Sequence, residues 1–276
     1  MELNKIYHGD SLEVLKTFSS ESIDCIITSP PYYGLRDYGI EGQIGQEKTP
    51  KEYISNLMSI MDECKRVLKK TGSLWVNIGE GFINKSLSGI PERFVISMID
   101  NGWIRRNSII WHKSNCMPSS VKSRFTIDFE YFYFFVKDPK HYYFETQYEP
   151  LSTATIERSK YPGVRIGSRN KIKLGGYGNS TYSGKEYHIS PTLTRIKRCI
   201  WKIHTEIFSE AHFAIFPEKL IETPIKACCP PEGIVLDPFM GSGTVAVVAK
   251  KLGVNYIGIE LNKEYINIAE QRLQNI

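Results

Sequence analysis

The residues best equipped for chemistry are Ser29-Pro30-Pro31-Tyr32, which stop the apolar run Ile23-Asp24-Cys25-Ile26-Ile27-Thr28. Neither proline has a backbone N–H and both have a fixed φ, so the chain must leave any sheet here. The carbonyls of Ser29 and Pro30 are then held still, without a local turn donor. Rigid acceptors beside the flat ring of Tyr32 suit a planar heterocycle that stacks on the ring and offers an amino group at its edge. A strand end with ordinary aromatic packing would use the same residues. A second stretch lies far along the chain, Asp237-Pro238-Phe239-Met240-Gly241-Ser242-Gly243-Thr244, after the apolar Ile234-Val235-Leu236 and before Tyr256-Ile257-Gly258-Ile259-Glu260. A strand, a glycine turn, a helix amino terminus and a second strand ending in an acid make a nucleoside-binding unit. The glycines admit a ligand to the backbone, the helix dipole favours an anionic group, and the acid accepts ribose hydroxyls. The third glycine of the dinucleotide fingerprint is absent.

Positioning these turns requires alternating strands and helices. Leu3 to Tyr7 reads as a short strand ending in His8-Gly9-Asp10, with a helix from Ser11 to Phe18 and a buried strand from Asp24 to Thr28. Gly34 to Gly45 holds four glycines and reads as an active-site loop or a simple connector. Thr49-Pro50-Lys51-Glu52 is a capping box, and the apolar face that follows predicts a long helix reaching Gly72. Strand 73–78, helix 91–101 and strand 106–111 come next. Glu130 to Val136 is aromatic enough for a central or hairpin strand, and core packing is the reading preferred over a base cage. The pattern resumes with a helix over 220–228, strand 234–237, helix 245–252 and strand 256–260. Such alternation predicts an α/β fold around a mostly parallel sheet.

Between these halves, from about Tyr148 to Ile203, periodicity disappears. From Leu151 to Thr205 eleven Lys and Arg stand against two Glu, a local charge of +9 in a chain whose total is +5. A basic segment in an otherwise mildly acidic body is the footprint of a polyanion site, since phosphate neutralisation releases counterions. A solvated charged loop is the plainer reading. The six cysteines are scattered without zinc or disulfide spacing, so no metal is expected. No apolar run approaches the roughly 20 residues of a membrane helix, and the start Met1-Glu2-Leu3-Asn4-Lys5 is too polar for a signal peptide. A cytoplasmic protein without membrane contact is expected.

Together the stretches resemble the amino-methylating DNA methyltransferases, in the subgroup whose Ser-Pro-Pro-Tyr motif precedes the target-recognition region and whose cofactor motif lies near the carboxyl end. The likeness rests on His8-Gly9-Asp10, Thr28 to Tyr32, His212-Phe213-Ala214-Ile215-Phe216-Pro217, Asp237 to Thr244 and Glu260, and it covers nearly the whole chain. The basic segment itself matches nothing. The resemblance implies a Rossmann-like S-adenosylmethionine-dependent methyltransferase fold with circularly permuted motif order and a basic irregular insertion. Residues 1–147 would form a catalytic half, 148–205 the target-recognition insertion and 206–276 the cofactor-binding half.

By the same resemblance the cofactor is S-adenosylmethionine. Its methionine end would lie over Phe239, Gly241 and Gly243, its ribose on Glu260 and its adenine near Asp10 and Phe216, with Asp237, Pro238, Ser242 and Thr244 completing the site. Ser29 and the Pro30 carbonyl would draw on the amino hydrogens of a flipped base, with Pro31 fixing the turn and Tyr32 holding the base's face. Arg36, Arg158, Arg165, Arg169, Lys171, Lys173, Arg195, Lys197 and Arg198 would meet DNA. Family members headed by Ser usually methylate N4 of cytosine and those headed by Asp N6 of adenine, so Ser29 favours cytosine. Double-stranded DNA, a cognate restriction endonuclease, a monomer or homodimer, and a bacterial, archaeal or phage origin are implied. An N6-adenine or RNA methylase, a dinucleotide-dependent oxidoreductase and a non-catalytic nucleic-acid-binding module are the competing readings. The oxidoreductase has no use for Ser-Pro-Pro-Tyr, and the binding module none for a cofactor turn.

Overall fold

Ile23–Thr28 is buried at every position, as expected of a strand covered on both faces. The computed structural model describes residues 1–276 apart from Arg36, Tyr38, Glu41, 160–193, 208–213 and Phe216. In chain order the elements are β1 (Lys5–His8), α1 (Ser11–Lys16), β2 (Ile23–Thr28), α2 (Pro50–Val67), β3 (Leu68–Ile78), β4 (Phe82–Ile83), β5 (Ser86–Leu87), α3 (Ile90–Asp100), β6 (Ile104–His112) and β7 (Phe129–Val136). There follow β8 (Tyr148–Pro150), α4 (Thr153–Ser159), β9 (Thr194–Ile196), β10 (Ile200–Lys202), β11 (Glu206–Ile207), β12 (Ala214–Ile215), α5 (Glu218–Cys228), β13 (Ile234–Asp237), α6 (Thr244–Lys251), β14 (Asn255–Glu260) and α7 (Lys263–Gln274).

Eight strands form one sheet in the order β1-β14-β13-β2-β3-β7-β6-β10. All neighbours are parallel except β7, which runs against both β3 and β6. The two motif strands therefore lie side by side, with Cys25 opposite Val235 and Ile26 opposite Leu236. In sequence the Pro-Pro-Tyr strand precedes the glycine-turn strand, the permuted order that was expected.

The alternation of β7 divides the sheet's two cores. Tyr133 and Phe135 pack with Phe94 and Trp103 on one face, while Phe132 and Phe134 join Trp75, Trp111 and Trp201 on the other. Trp75 and Phe134 stack with centroids 4.3 Å apart. The aromatic run is thus both a hairpin partner of β6 and an interior strand.

Some boundaries differ from expectation. The capping box holds, with the Thr49 side chain accepting from the Glu52 N–H. The helix nevertheless ends at Val67, where Leu68 turns extended and caps onto the Cys64 carbonyl. Gly72 is not the helix stop. A Cβ there would meet the Asp24 carbonyl at 2.8 Å, so glycine is needed where β3 passes close to β2. The tiny β4–β5 hairpin, turned by Asn84 and Lys85 at positive φ, was not foreseen.

The chain divides into two compact units, Thr146–Arg198 and a larger one made by Met1–Glu145 and Cys199–Ile276. Within that smaller unit β8 pairs with β9, and Thr153–Ser159 is a short helix. Three-residue strands are too short to leave a periodic trace in sequence. Ile200–Lys202, read as part of the irregular segment, is an edge strand of the main sheet.

Candidate active site

From β13 the chain passes through α6 to β14 on one side, and from β2 through α2 to β3 on the other. The carboxyl ends of β2 and β13 are therefore the sheet's switch point, where a crevice opens. A side-chain bridge spans it: the Thr28 hydroxyl donates to Asp237 Oδ1 at 2.6 Å, and the Phe239 N–H donates to the same oxygen at 2.9 Å. Beyond this bridge lies a cavity of about 400 Å³. Ser29, Pro30, Pro31 and Tyr32 line it from one turn, and Pro238, Phe239, Gly241, Ser242, Thr244 and Glu260 from the other, with Asp10 beside them.

On the glycine-turn side the acid is fixed by backbone. Glu260 accepts from the Gly241 N–H and the Asn262 N–H, both at 2.7 Å, which leaves lone pairs for a ligand's hydroxyls. Burial pushes its carboxyl above the usual range. Asp10 caps α1 by accepting from the Glu13 N–H, and the neighbouring Ser11 hydroxyl donates to the Pro238 carbonyl, tying α1 to the turn. Gly241 adopts φ +53, a left-handed conformation natural to glycine. Gly243, at φ +83, does not line the cavity; a Cβ there would meet Ala269 Cβ at 2.6 Å, so its role is the close approach of α7. Asp237 likewise lies behind the cavity wall. It is fully buried, its Oδ2 has no hydrogen-bond partner among the described residues, and burial pushes its carboxyl up to about 7.

The Pro-Pro-Tyr side is more heavily braced than the sequence indicated. The Pro31 carbonyl is taken by the Tyr53 hydroxyl at 2.9 Å, whereas the Pro30 carbonyl has no donor among the described residues. The Tyr32 hydroxyl donates to Glu130 Oε2 at 2.7 Å, with Asn77 Oδ1 3.1 Å away. Asn77 Nδ2 donates to the same carboxylate oxygen at 3.1 Å and to the Tyr131 carbonyl at 3.0 Å. The other oxygen of Glu130 is paired with Lys113. Burial, with the Glu130 carboxylate adding to it, raises the Tyr32 phenol well above its ordinary range, so it stays a neutral donor. The ring lies directly on Gly79, where a Cβ would come within 2.4 Å of Cε2. Ser29 Oγ is 3.5 Å from Asn77 Oδ1, leaving that hydroxyl loosely engaged. The glycine loop closes above through the Gly34 N–H on the Gly45 carbonyl, and its Leu35, Ile40 and Gln43 line the cavity.

Asn77, Gly79, Lys113 and Glu130 escaped the sequence reading. Asn77 and Glu130 were visible as polar residues within buried, aromatic-rich strands, a placement that costs energy unless the group is paired or used. Of the expected DNA contacts, Arg195 and Arg198 both pair with Glu149 Oε1, at 2.8 and 2.9 Å, inside the smaller unit, which also holds Lys197. Arg36, Arg165, Arg169, Lys171, Lys173 and Phe216 lie outside the described residues, and of Arg158 only the backbone is described.

Two turns that meet in one cavity, one with a rigid carbonyl that no described residue donates to and a fixed tyrosine and the other with a nucleoside-type acid, bring an amine acceptor and a cofactor together. The sequence profile of a DNA methylase family that comprises N6 and N4 enzymes matches residues 23–271. The chain belongs to this family. It is 37% identical to the Type II methyltransferase M.Cfr9I of Citrobacter freundii over 99% of its own length and 89% of that protein's. With M.SmaI of Serratia marcescens it shares 34% identity over 98% and 90% of the two chains. Among solved structures, the PvuII DNA methyltransferase (cytosine-N4-specific) superposes with a TM-score of 0.69 at 23% identity, covering 97% of this chain and 85% of that one. The M1.HpyAVI–SAM complex gives 0.59 at 22% identity over 98% of both.

The methyl donor of this DNA methylase is S-adenosylmethionine, which supplies an electrophilic methyl group on a sulfonium. The residues present fit it: Gly241 exposes backbone, Phe239 offers an apolar surface, and the pinned Glu260 offers an acceptor for vicinal hydroxyls. Among the described residues no group of three His, Cys, Asp or Glu could hold a metal ion.

Gly79→Ala should displace the Tyr32 ring and lower methyl transfer by roughly 100-fold, as misplaced groups in active sites do, while cofactor affinity stays within a few-fold. Equal loss of cofactor binding would show that Gly79 supports the fold and not the ring. The Asp237 carboxyl titrates near 4 when unfolded but at about 7 when folded, so the folded chain binds the extra proton. Its contribution to stability is fully present below about pH 4 and is lost as pH rises through about 7. Asp237→Asn should therefore flatten the fall in urea-denaturation midpoint between about pH 4 and 7; an unchanged slope would contradict this assignment.

Proposed function

We propose that this methylase transfers the methyl group to the exocyclic N4 of cytosine in a short double-stranded DNA sequence, after extruding the base from the helix. The observation that carries the reading is the Pro30 carbonyl, held rigid and without a donor among the described residues, beside Ser29 and Tyr32 in the same cavity as Gly241 and Glu260. An exocyclic amine delocalises its lone pair into the ring and is a poor nucleophile. The Ser29 hydroxyl and the Pro30 carbonyl accept from its two hydrogens and favour a pyramidal nitrogen with its lone pair free. Tyr32, fixed by Glu130, Asn77 and Gly79, holds the base's face so that nitrogen meets the methyl group in line. After transfer the nitrogen loses its surplus proton to water.

A base in the stack is out of reach, hence the extrusion. Cytosine is favoured by Ser29 at the head of the motif, and the similar PvuII enzyme is described as cytosine-N4-specific. Arg195, Lys197 and Arg198, with the other cations of the 148–205 segment, are assigned to the phosphate backbone. Relatives described as Type II methyltransferases support a role beside a restriction endonuclease that cuts the same sequence.

Sequencing plasmid DNA from cells that express the enzyme, by a method that separates N4-methylcytosine from N6-methyladenine, should show N4-methylcytosine at one short motif. N6-methyladenine at that motif would overturn the choice of base. Tyr32→Ala should abolish the signal while salt-dependent DNA binding survives in the purified protein.

A further inference from the structure

The loop 114–127, between β6 and β7, takes no part in the site described above, yet both of its ends are built into it. Because β6 runs parallel to β3, with β7 reversed between them, the loop leaves the sheet at the same carboxyl edge as the cavity. Its neck is pinched by the Lys113 N–H on the Asp128 carbonyl at 2.7 Å and by the ion pair of Lys113 with Glu130, both of which line the cavity. Asn115 is bound to Thr205, another lining residue, accepting from its N–H at 2.8 Å. Beyond this neck every residue from Met117 to Ile127 is exposed.

Two side chains in that exposed stretch are unusual. Phe125 is 96% exposed and Met117 87%, more than any other large hydrophobic residue among those described. A folded chain gains by covering such surface, so apolar side chains held wholly in water mark a place where something else covers them. Charge says what. From Ser114 to Ile127 the loop carries Lys122 and Arg124 and no acid, the charge complement of a phosphate backbone. The guanidinium of Arg124 lies 4.0 Å from the centre of the Phe82 ring on the β4–β5 hairpin, which anchors the neighbour of Phe125.

We propose that this loop enters the DNA duplex beside the target base. Phe125 and Met117 fill the gap in the stack that extrusion leaves, while Lys122 and Arg124 contact the flanking phosphates. Removing a base from the stack costs a few kcal/mol, and proteins that open a duplex offset this with an inserted apolar wedge. The surface therefore joins the catalytic pocket to the strand it empties, and it lies outside the basic 148–205 segment. The proposal rests on the extrusion reading above.

The test is single-turnover methyl transfer on duplexes carrying the sequence located by methylation mapping. In one the target base is paired; in the other it faces an abasic site and is already unpaired. Phe125→Ala should lose roughly 10-fold or more on the paired duplex, in line with the worth of base–aromatic stacking, and fall only a few-fold on the abasic one, with Phe125→Leu in between. Equal losses on both duplexes, or no loss on either, would overturn the wedge. So would a change in sedimentation with transfer on the paired duplex intact, which would make the face a contact between copies of this chain. Failure of the extrusion reading shows separately, as a parent enzyme that gains nothing from the abasic duplex.

Discussion

One hydrogen bond, from Thr28 to Asp237 at 2.6 Å, joins the two halves of the site. Only Cys25 and Ile26 of β2 are in register with β13, so the ladder between the motif strands is short. The buried side-chain pair continues their alignment to the point where the chain turns out of the sheet. Asp237 also receives the Phe239 N–H, so a single carboxylate oxygen sets the start of the glycine turn and the end of the strand that leads into Ser29. A buried carboxyl of this kind is costly unless neutral or satisfied, and its second oxygen has no partner among the described residues. The group is tolerated there because it fixes two turns at once.

The opposite wall follows a related logic. Tyr32 is held at both of its ends, by Gly79 beneath the ring and by Glu130 and Asn77 at the hydroxyl, with Lys113 neutralising the carboxylate. A ring that must present one face to a base gains from having no freedom to rotate, since orientation settled in advance lowers the cost of reaching the reactive geometry. The loop bearing Phe125 grows from the same Lys113–Glu130 pair, so the group that steadies the tyrosine also anchors the element assigned to the duplex.

Much of this was legible in the sequence because it was written in backbone chemistry. Consecutive prolines, a glycine turn and an acid at a strand's end constrain the chain locally, and the strand–helix alternation placed them at one sheet edge. The bracing was not legible, because Asn77, Lys113 and Glu130 are distant in sequence and carry no shared spacing. Gly72 misled in the other direction: a glycine after a long amphipathic stretch reads as a helix stop, while its actual constraint is the carbonyl of Asp24 on the next strand. The resemblance places Asp237 among the cofactor residues, whereas its side chain is fully buried and does not line the cavity.

The bridge is tested most directly by cofactor titration of Thr28→Val, Asp237→Ala and the double variant. Thr28 lies on the strand that leads into the catalytic turn and does not line the cavity. Its replacement should nevertheless weaken S-adenosylmethionine binding, and the double variant should be no weaker than Asp237→Ala alone, the signature of two residues acting through one contact. Cofactor affinity untouched by Thr28→Val, or losses that simply add, would contradict the bridge.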